Sequence, residues 1–202
     1  MKNIIIPVLA LILLSSCKTK HFLGKDKLSP VEYVQWIENK ENGLKVSWKD
    51  EAYLYELQYQ PVEYLAVRQT RSQQITSAAL KEGVQKRGDL LYFTFKMWDE
   101  NGRGILSDKD LEIENKSSYL LSGLQNDMML LAGKDTLHCV MLHFESANNL
   151  IPYDQCVLAF EPAANDKEDI VFLFRTDKYK EGWVRMTIKR ENIKKIPKLK
   201  TI

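Results

Sequence analysis

Histidine is scarce in this chain, and the short signatures of the common enzyme classes are missing. Three histidines occur in 202 residues, and His21 falls in a polar stretch without period, which leaves only His138 and His143 as histidine bases. Five residues apart on one strand, these two are expected on opposite faces. There is no Gly-x-Ser-x-Gly elbow, no phosphate-cradling glycine loop, no dinucleotide fingerprint and no His-Glu-x-x-His helix. What those absences leave open is a hydrolase built on two carboxylates, which can be distant in sequence and still meet in the fold. An excess of charge of one sign is also missing: 29 lysines and arginines stand against 27 acids, so overall charge names no partner. The basic residues are unevenly spread, however, with nine against two acids from Lys178 to Ile202. That run lacks the interleaved aromatics of nucleic-acid binders, so no nucleic-acid partner is expected. It reads as a solvated face, with contact to anionic lipid head groups as the sharper alternative.

Long apolar runs are absent after the first one. Lys2 precedes an apolar stretch from Ile4 to Leu14, which is shorter than the ~20 residues of a spanning helix and has the form of a secretory signal. It ends in Leu14-Ser15-Ser16-Cys17, which resembles the lipobox of bacterial lipoproteins. The resemblance implies that residues 1–16 are a lipoprotein signal peptide, removed on maturation, and that Cys17 carries the lipid as the first residue of the mature chain. Two or three acyl chains hold a protein durably on a bilayer where one does not. Residues 17–27 then read as lipidated cysteine and tether, and 28–202 as a single globular α+β domain. His143-Phe144-Glu145, the run from Cys156 to Phe160 and the closing Ile196-Pro197-Lys198-Leu199-Lys200 resemble lipoproteins of Bacteroidetes. Surface export in that group resembles a rule that needs acids just after the lipidated cysteine, and Lys18-Thr19-Lys20 departs from it. The resemblance therefore implies a periplasm-facing anchor in the cell envelope.

Within the body, Ser29-Pro30-Val31-Glu32 carries the N-cap, the first-turn proline and the capping-box acid of a helix start, and Asn42-Gly43 supplies its stop. From Leu44 the apolar period changes to two, through Trp48 and then from Tyr53 to Tyr59, with Lys49-Asp50-Glu51 as the hairpin loop. Pro61 opens a short helix through Ala66, and Ile75 to Val84 reads as a further helix interrupted by Gly83. Strands are predicted from Leu90 to Trp98, Met128 to Leu131, Thr136 to Glu145, Cys156 to Phe160, Ile170 to Phe174 and Trp183 to Ile188. Tyr119 to Leu124 fits helix or strand. No internal repeat is present. The fold class is α+β, a mostly antiparallel β-sheet or sandwich with an N-terminal helix and one or two short helices.

Three constellations are candidate sites. Cys139 and Cys156 lie symmetrically about the 146–155 connection, so in a symmetric hairpin they face each other within reach of a disulfide. The alternative is two separate buried thiols. Cys139, Met141, His143 and Glu145 alternate along one predicted strand and would share a face, but at ~3.3 Å per residue no ion can take more than two of them. His143 and Glu145 are the compact pair, and otherwise no metal and no cofactor is expected. Asp99 to Asp110 matches a calcium loop at several ligand positions, although Arg103 places a cation at the fifth. Asp108 to Glu114 alternates acids with Lys109, Leu111 and Ile113, the pattern of an edge strand. These readings point to a membrane-anchored envelope lipoprotein acting as a binding or scaffolding module, in contact with the bilayer through acylated Cys17 and with another envelope protein. A small envelope enzyme, a hydrolase for instance, is the alternative.

Overall fold

A computed structural model describes residues 26–50, 52–70, 74–106, 112–145, 151–164, 167–177 and 182–202. The signal, Cys17 and most of the tether lie outside the described residues. The chain enters through a two-residue strand, β1 (Lys27–Leu28), so Lys27 is part of the fold and not of the tether. Helix α1 (Pro30–Glu38) follows, and its start is held as the sequence predicts: Ser29 Oγ accepts the Glu32 N–H, and the Glu32 carboxylate accepts the Ser29 N–H at 3.0 Å. It stops at Asn39, earlier than Asn42-Gly43 suggests. A single 3₁₀ turn, Lys40–Asn42, completes the descent to Gly43 at φ 72°.

Strands β2 (Lys45–Lys49) and β3 (Tyr53–Gln60) form the expected hairpin, its turn closed by Asp50, whose Oδ1 accepts the Ala52 and Tyr53 N–H groups. Helices α2 (Val62–Thr70) and α3 (Ser77–Gln85) come next, then β4 (Leu91–Asp99). Gly83 has a packing role in α3: a Cβ there would stand 2.8 Å from the Ala66 Cβ, so the missing side chain lets the two helices approach closely. A short helix α4 (Lys116–Ser118) runs on through a π turn (Tyr119–Gly123) and a 3₁₀ turn (Leu124–Asp127), which settles the ambiguous segment as helical. The remaining elements are β5 (Met128–Ala132), β6 (Asp135–Glu145), β7 (Asp154–Phe160), β8 (Ile170–Arg175), β9 (Trp183–Ile188), α5 (Arg190–Lys194) and β10 (Lys198–Leu199).

Eight strands join in the order β2-β3-β4-β7-β6-β5-β8-β9, every pair antiparallel. The outermost strands β2 and β9 come back alongside each other, so the sheet is an antiparallel, nearly closed barrel. The expected α+β class with a mostly antiparallel sheet holds. Curling the sheet on itself follows from right-handed strand twist, and it leaves little open edge to pair with another chain.

The period of two puts one apolar row from each strand inside. Tyr55 and Leu57, Phe93, Phe95 and Met97, Leu130, Cys156 and Leu158, Phe160, Phe172 and Phe174, Met186 and Ile188 are all buried in one cluster. Rings from opposite walls meet: Phe95 of β4 lies 4.8 Å from Phe172 and 5.3 Å from Phe174 of β8, and Phe160 of β7 lies 6.3 Å from Phe172. The barrel is packed through by aromatic side chains, each worth roughly 1.5–3 kcal/mol on burial.

The two ends are closed differently. At the roof Ile105 and Leu106, which follow β4, and Tyr119 and Leu124, which precede β5, are buried in the barrel cluster and plug that end. At the floor a second cluster of Leu28, Tyr33, Ile37, Leu44 and Tyr64 joins α1 and α2, with Tyr59 and Ile193 shared between floor and barrel. β1 pairs in parallel with β10 there, tying the entering chain to the segment after α5. Among the described residues no helix is long and apolar enough to cross a membrane.

Candidate functional site

The constellation on β6 is rearranged by a β-bulge. Residue Cys139 pairs with Phe160 but Met141 pairs with Ala159, so Val140 is the inserted residue and the alternation changes phase there. A cause is visible: the Cys139 carbonyl accepts a hydrogen bond from the Gln125 side chain at 2.7 Å, and the Cys139 thiol donates to the Met141 carbonyl at 3.2 Å. Before the bulge Leu137 and Cys139 face the core; after it Leu142 and Phe144 do. Cys139 therefore does not share a face with Met141, His143 and Glu145, which corrects the expected alternating row. The same phase change puts His138 and His143 both on the exposed face, where opposite faces are expected from straight alternation.

The hairpin register also corrects the cysteine pairing. Cys156 stands opposite Phe144 and Cys139 opposite Phe160, four residues out of step. At ~3.3 Å per residue that offset exceeds the Cα separation a disulfide spans. Both thiols are free and buried. Burial pushes the Cys139 thiol up to about 11, and pushes Cys156 well above its ordinary value, with the nearby Asp154 charge adding to the effect.

His143 and Glu145 do come together, with Nε2 and Oε1 3.8 Å apart on the surface. Gln155 donates to the other Glu145 oxygen at 2.8 Å, which fixes the carboxylate against the neighbouring strand. Among the described residues no group of three or more histidine, cysteine, aspartate or glutamate side chains is placed to hold a metal ion.

The segment that resembles a calcium loop is a turn closed by its own arginine. Asp99 Oδ1 accepts the N–H groups of Asn101 and Arg103, and Oδ2 takes the Arg103 guanidinium at 2.7–2.9 Å. Burial works against the charged form, but the donors from Arg103 and Asn101 outweigh it and hold the Asp99 carboxyl below the usual range. Asp99 ends a strand, not a helix, and its oxygens already have donors. Asp108 and Asp110 lie outside the described residues. Glu112 and Ile113 are irregular and Glu114 and Asn115 form a turn, with Asn115 at φ 52°, in place of the expected edge strand.

The two buried carboxylates that are described have structural donors at the roof. Asp127 accepts the Tyr119 hydroxyl at 2.9 Å and the Arg175 guanidinium through Nε at 2.9 Å. Asp154 accepts the Leu106 N–H at 2.7 Å.

A different set of residues meets at the floor. There a shallow cavity of about 430 Å³ is lined by Lys167, Asp169, Lys189, Arg190, Glu191 and Lys194. It gathers the β7–β8 connection against the start of α5, so part of the basic run is folded into a site instead of trailing as a tail. Asp169 organises the junction: one oxygen takes the Lys189 ammonium at 2.8 Å and the other accepts the Arg190 N–H at 2.9 Å. The Lys189 hydrogen bond, with that N–H, holds the Asp169 carboxyl below its ordinary value and raises Lys189. No family model, curated protein or solved structure matches this chain. The cavity is therefore read from its own chemistry.

Arg190 is the unusual member. It is only 9 % exposed, and its Nε is enclosed without a hydrogen-bond partner among the described residues. Tyr59 is the nearby floor residue that feels its charge: burial and Glu63 push the Tyr59 hydroxyl up, and Arg190 pulls it down. Sequence reasoning missed this site because one buried arginine looks like any other cation in a run of them. Its signal is the apolar bracket of Ile188 and Ile193, which holds the intervening residues against the barrel floor.

Proposed function

We propose that the protein is a membrane-anchored cell-envelope lipoprotein that works as a binding or scaffolding module through its outer surface. The observation that carries the module reading is the filled interior: Phe95, Phe172, Phe174 and Phe160 meet across the barrel, so the space where small barrels hold a ligand is taken up by side chains. Recognition is then left to the outer wall, the roof and the floor. The anchor reading is supported by the apolar leader and by Leu14-Ser15-Ser16-Cys17, with Cys17 as the acylated residue facing the periplasm. Because β1 is seated on the floor, a chain tethered at Cys17 would hold that end nearest the bilayer.

Cross-linking of the full-length protein in its native cells, followed by mass spectrometry, tests the module. A stoichiometric envelope protein linked through surface lysines is the expected result, and repeated recovery of the protein alone defeats the scaffold reading. The anchor is tested separately by Cys17→Ser, which should abolish labelling by a radioactive fatty acid. Undiminished labelling of that variant would refute acylation at Cys17.

A further inference from the structure

An arginine side chain does not give up its proton in a protein, so burial of Arg190 takes a full positive charge out of water. Such a charge is normally met by a carboxylate. Among the described residues none stands within ion-pair distance of the Arg190 guanidinium: Asp169 receives only its backbone N–H and takes its ion pair from Lys189, and Glu191 pairs at 3.9 Å with Lys195. Glu63 acts on Tyr59 without reaching Arg190 as an ion pair. The same cavity wall adds Lys167, Lys189 and Lys194. Among the described residues Asp169 is taken by Lys189 and Glu191 by Lys195, which leaves the charges of Arg190 and Lys194 in the lining, in a space larger than a bare inorganic anion fills.

We propose that this floor cavity binds a phosphoryl group carried on a larger molecule, with Arg190 as its principal ligand and Lys194 at the mouth. The guanidinium presents several N–H donors in a planar fork that matches phosphate oxygens, and the lysines add point charges around it. A doubly charged oxyanion balances the lining charge and supplies the acceptors that Arg190 lacks. The inference rests on the cavity alone and does not require the membrane anchor.

The test uses the full chain in an uncharged detergent, at fixed ionic strength, titrated by calorimetry and by thermal unfolding. Inorganic phosphate and glycerol 3-phosphate represent a free phosphorylated solute; glycerophosphoglycerol, a phosphodiester, represents an anionic lipid head group. One saturable site is expected, with a rise in unfolding temperature on binding. Tighter binding of the monoesters assigns a soluble ligand, and tighter binding of the diester assigns the head group; either supports the site. Arg190→Gln should weaken binding at least tenfold, and Lys194→Gln, an exposed position that leaves the core untouched, a few-fold. Absence of any saturable binding at constant ionic strength, or equal affinity in Lys194→Gln and in a folded Arg190→Gln, would overturn the proposal. Cross-linking that finds no protein partner would leave this site standing, so the two readings fail separately.

Discussion

At the scale of single residues, burial decides what the two core cysteines do. Their raised thiol values keep them protonated, and protonated thiols are poor nucleophiles. Iodoacetamide at pH 8 is expected to leave Cys139 and Cys156 unlabelled in the folded chain and to label both in guanidinium, read by intact mass without reductant. The sign of the pH effect follows. Cys139 is raised from 9.0 to about 11, so the unfolded chain loses this proton first; its contribution is fully present below pH 9 and is lost as pH rises through about 11. The urea midpoint should therefore fall across that window, and less steeply in Cys139→Ala. Asp127 offers a second test. Asp127→Ala removes the carboxylate that accepts from the buried Tyr119 hydroxyl and from the Arg175 guanidinium and should cost about 1–3 kcal/mol in urea unfolding, of which Tyr119→Phe in the same background recovers a part. Neither that contact nor Arg190 was legible beforehand, since each depends on a residue from a distant segment coming to rest beside it.

Elements were legible wherever a local rule was sufficient. The capping box of α1 needs only residues 29–32, and the strands announce themselves by alternation, so both are found at or near their expected positions. Helix α1 nevertheless stops early, because Asn39 and the turn after it close the descent before Gly43 does. The bulge in β6 was not legible: Val140 is apolar and fits either phase, and the cause is a side chain, Gln125, from the preceding helical segment. One missed residue of phase split the candidate metal row and turned both histidines outward, whereas the cysteine partner was displaced by the hairpin register itself, which is four residues out of step. At the junction of α1 and β2, Gly43 combines φ 72° with a close neighbour: a Cβ would stand 2.1 Å from Asn192 Nδ2. Gly43→Ala is expected to cost more than ~1 kcal/mol, from the left-handed backbone and from displacement of α5, as measured by thermal unfolding.

For the whole molecule, the antiparallel class was legible and closure was not, because alternation fixes which face is apolar but does not say whether the two end strands return to each other. Closure explains why one ring carries so much of the core. Phe95 touches both Phe172 and Phe174 from the far wall, so Phe95→Ala should open a cavity spanning the barrel and cost about 3–5 kcal/mol, with one cooperative transition shifted to lower denaturant. The parallel pair β1 and β10 has a mechanical consequence. Tension entering through the chain before Lys27 reaches this two-residue clamp, reinforced by the Lys200 N–H on the Leu28 carbonyl, before it reaches the barrel wall. The clamp is the weak link in series with a strong body: a tug on the N-terminal side peels two rungs at the floor first, before any strand of the barrel wall parts.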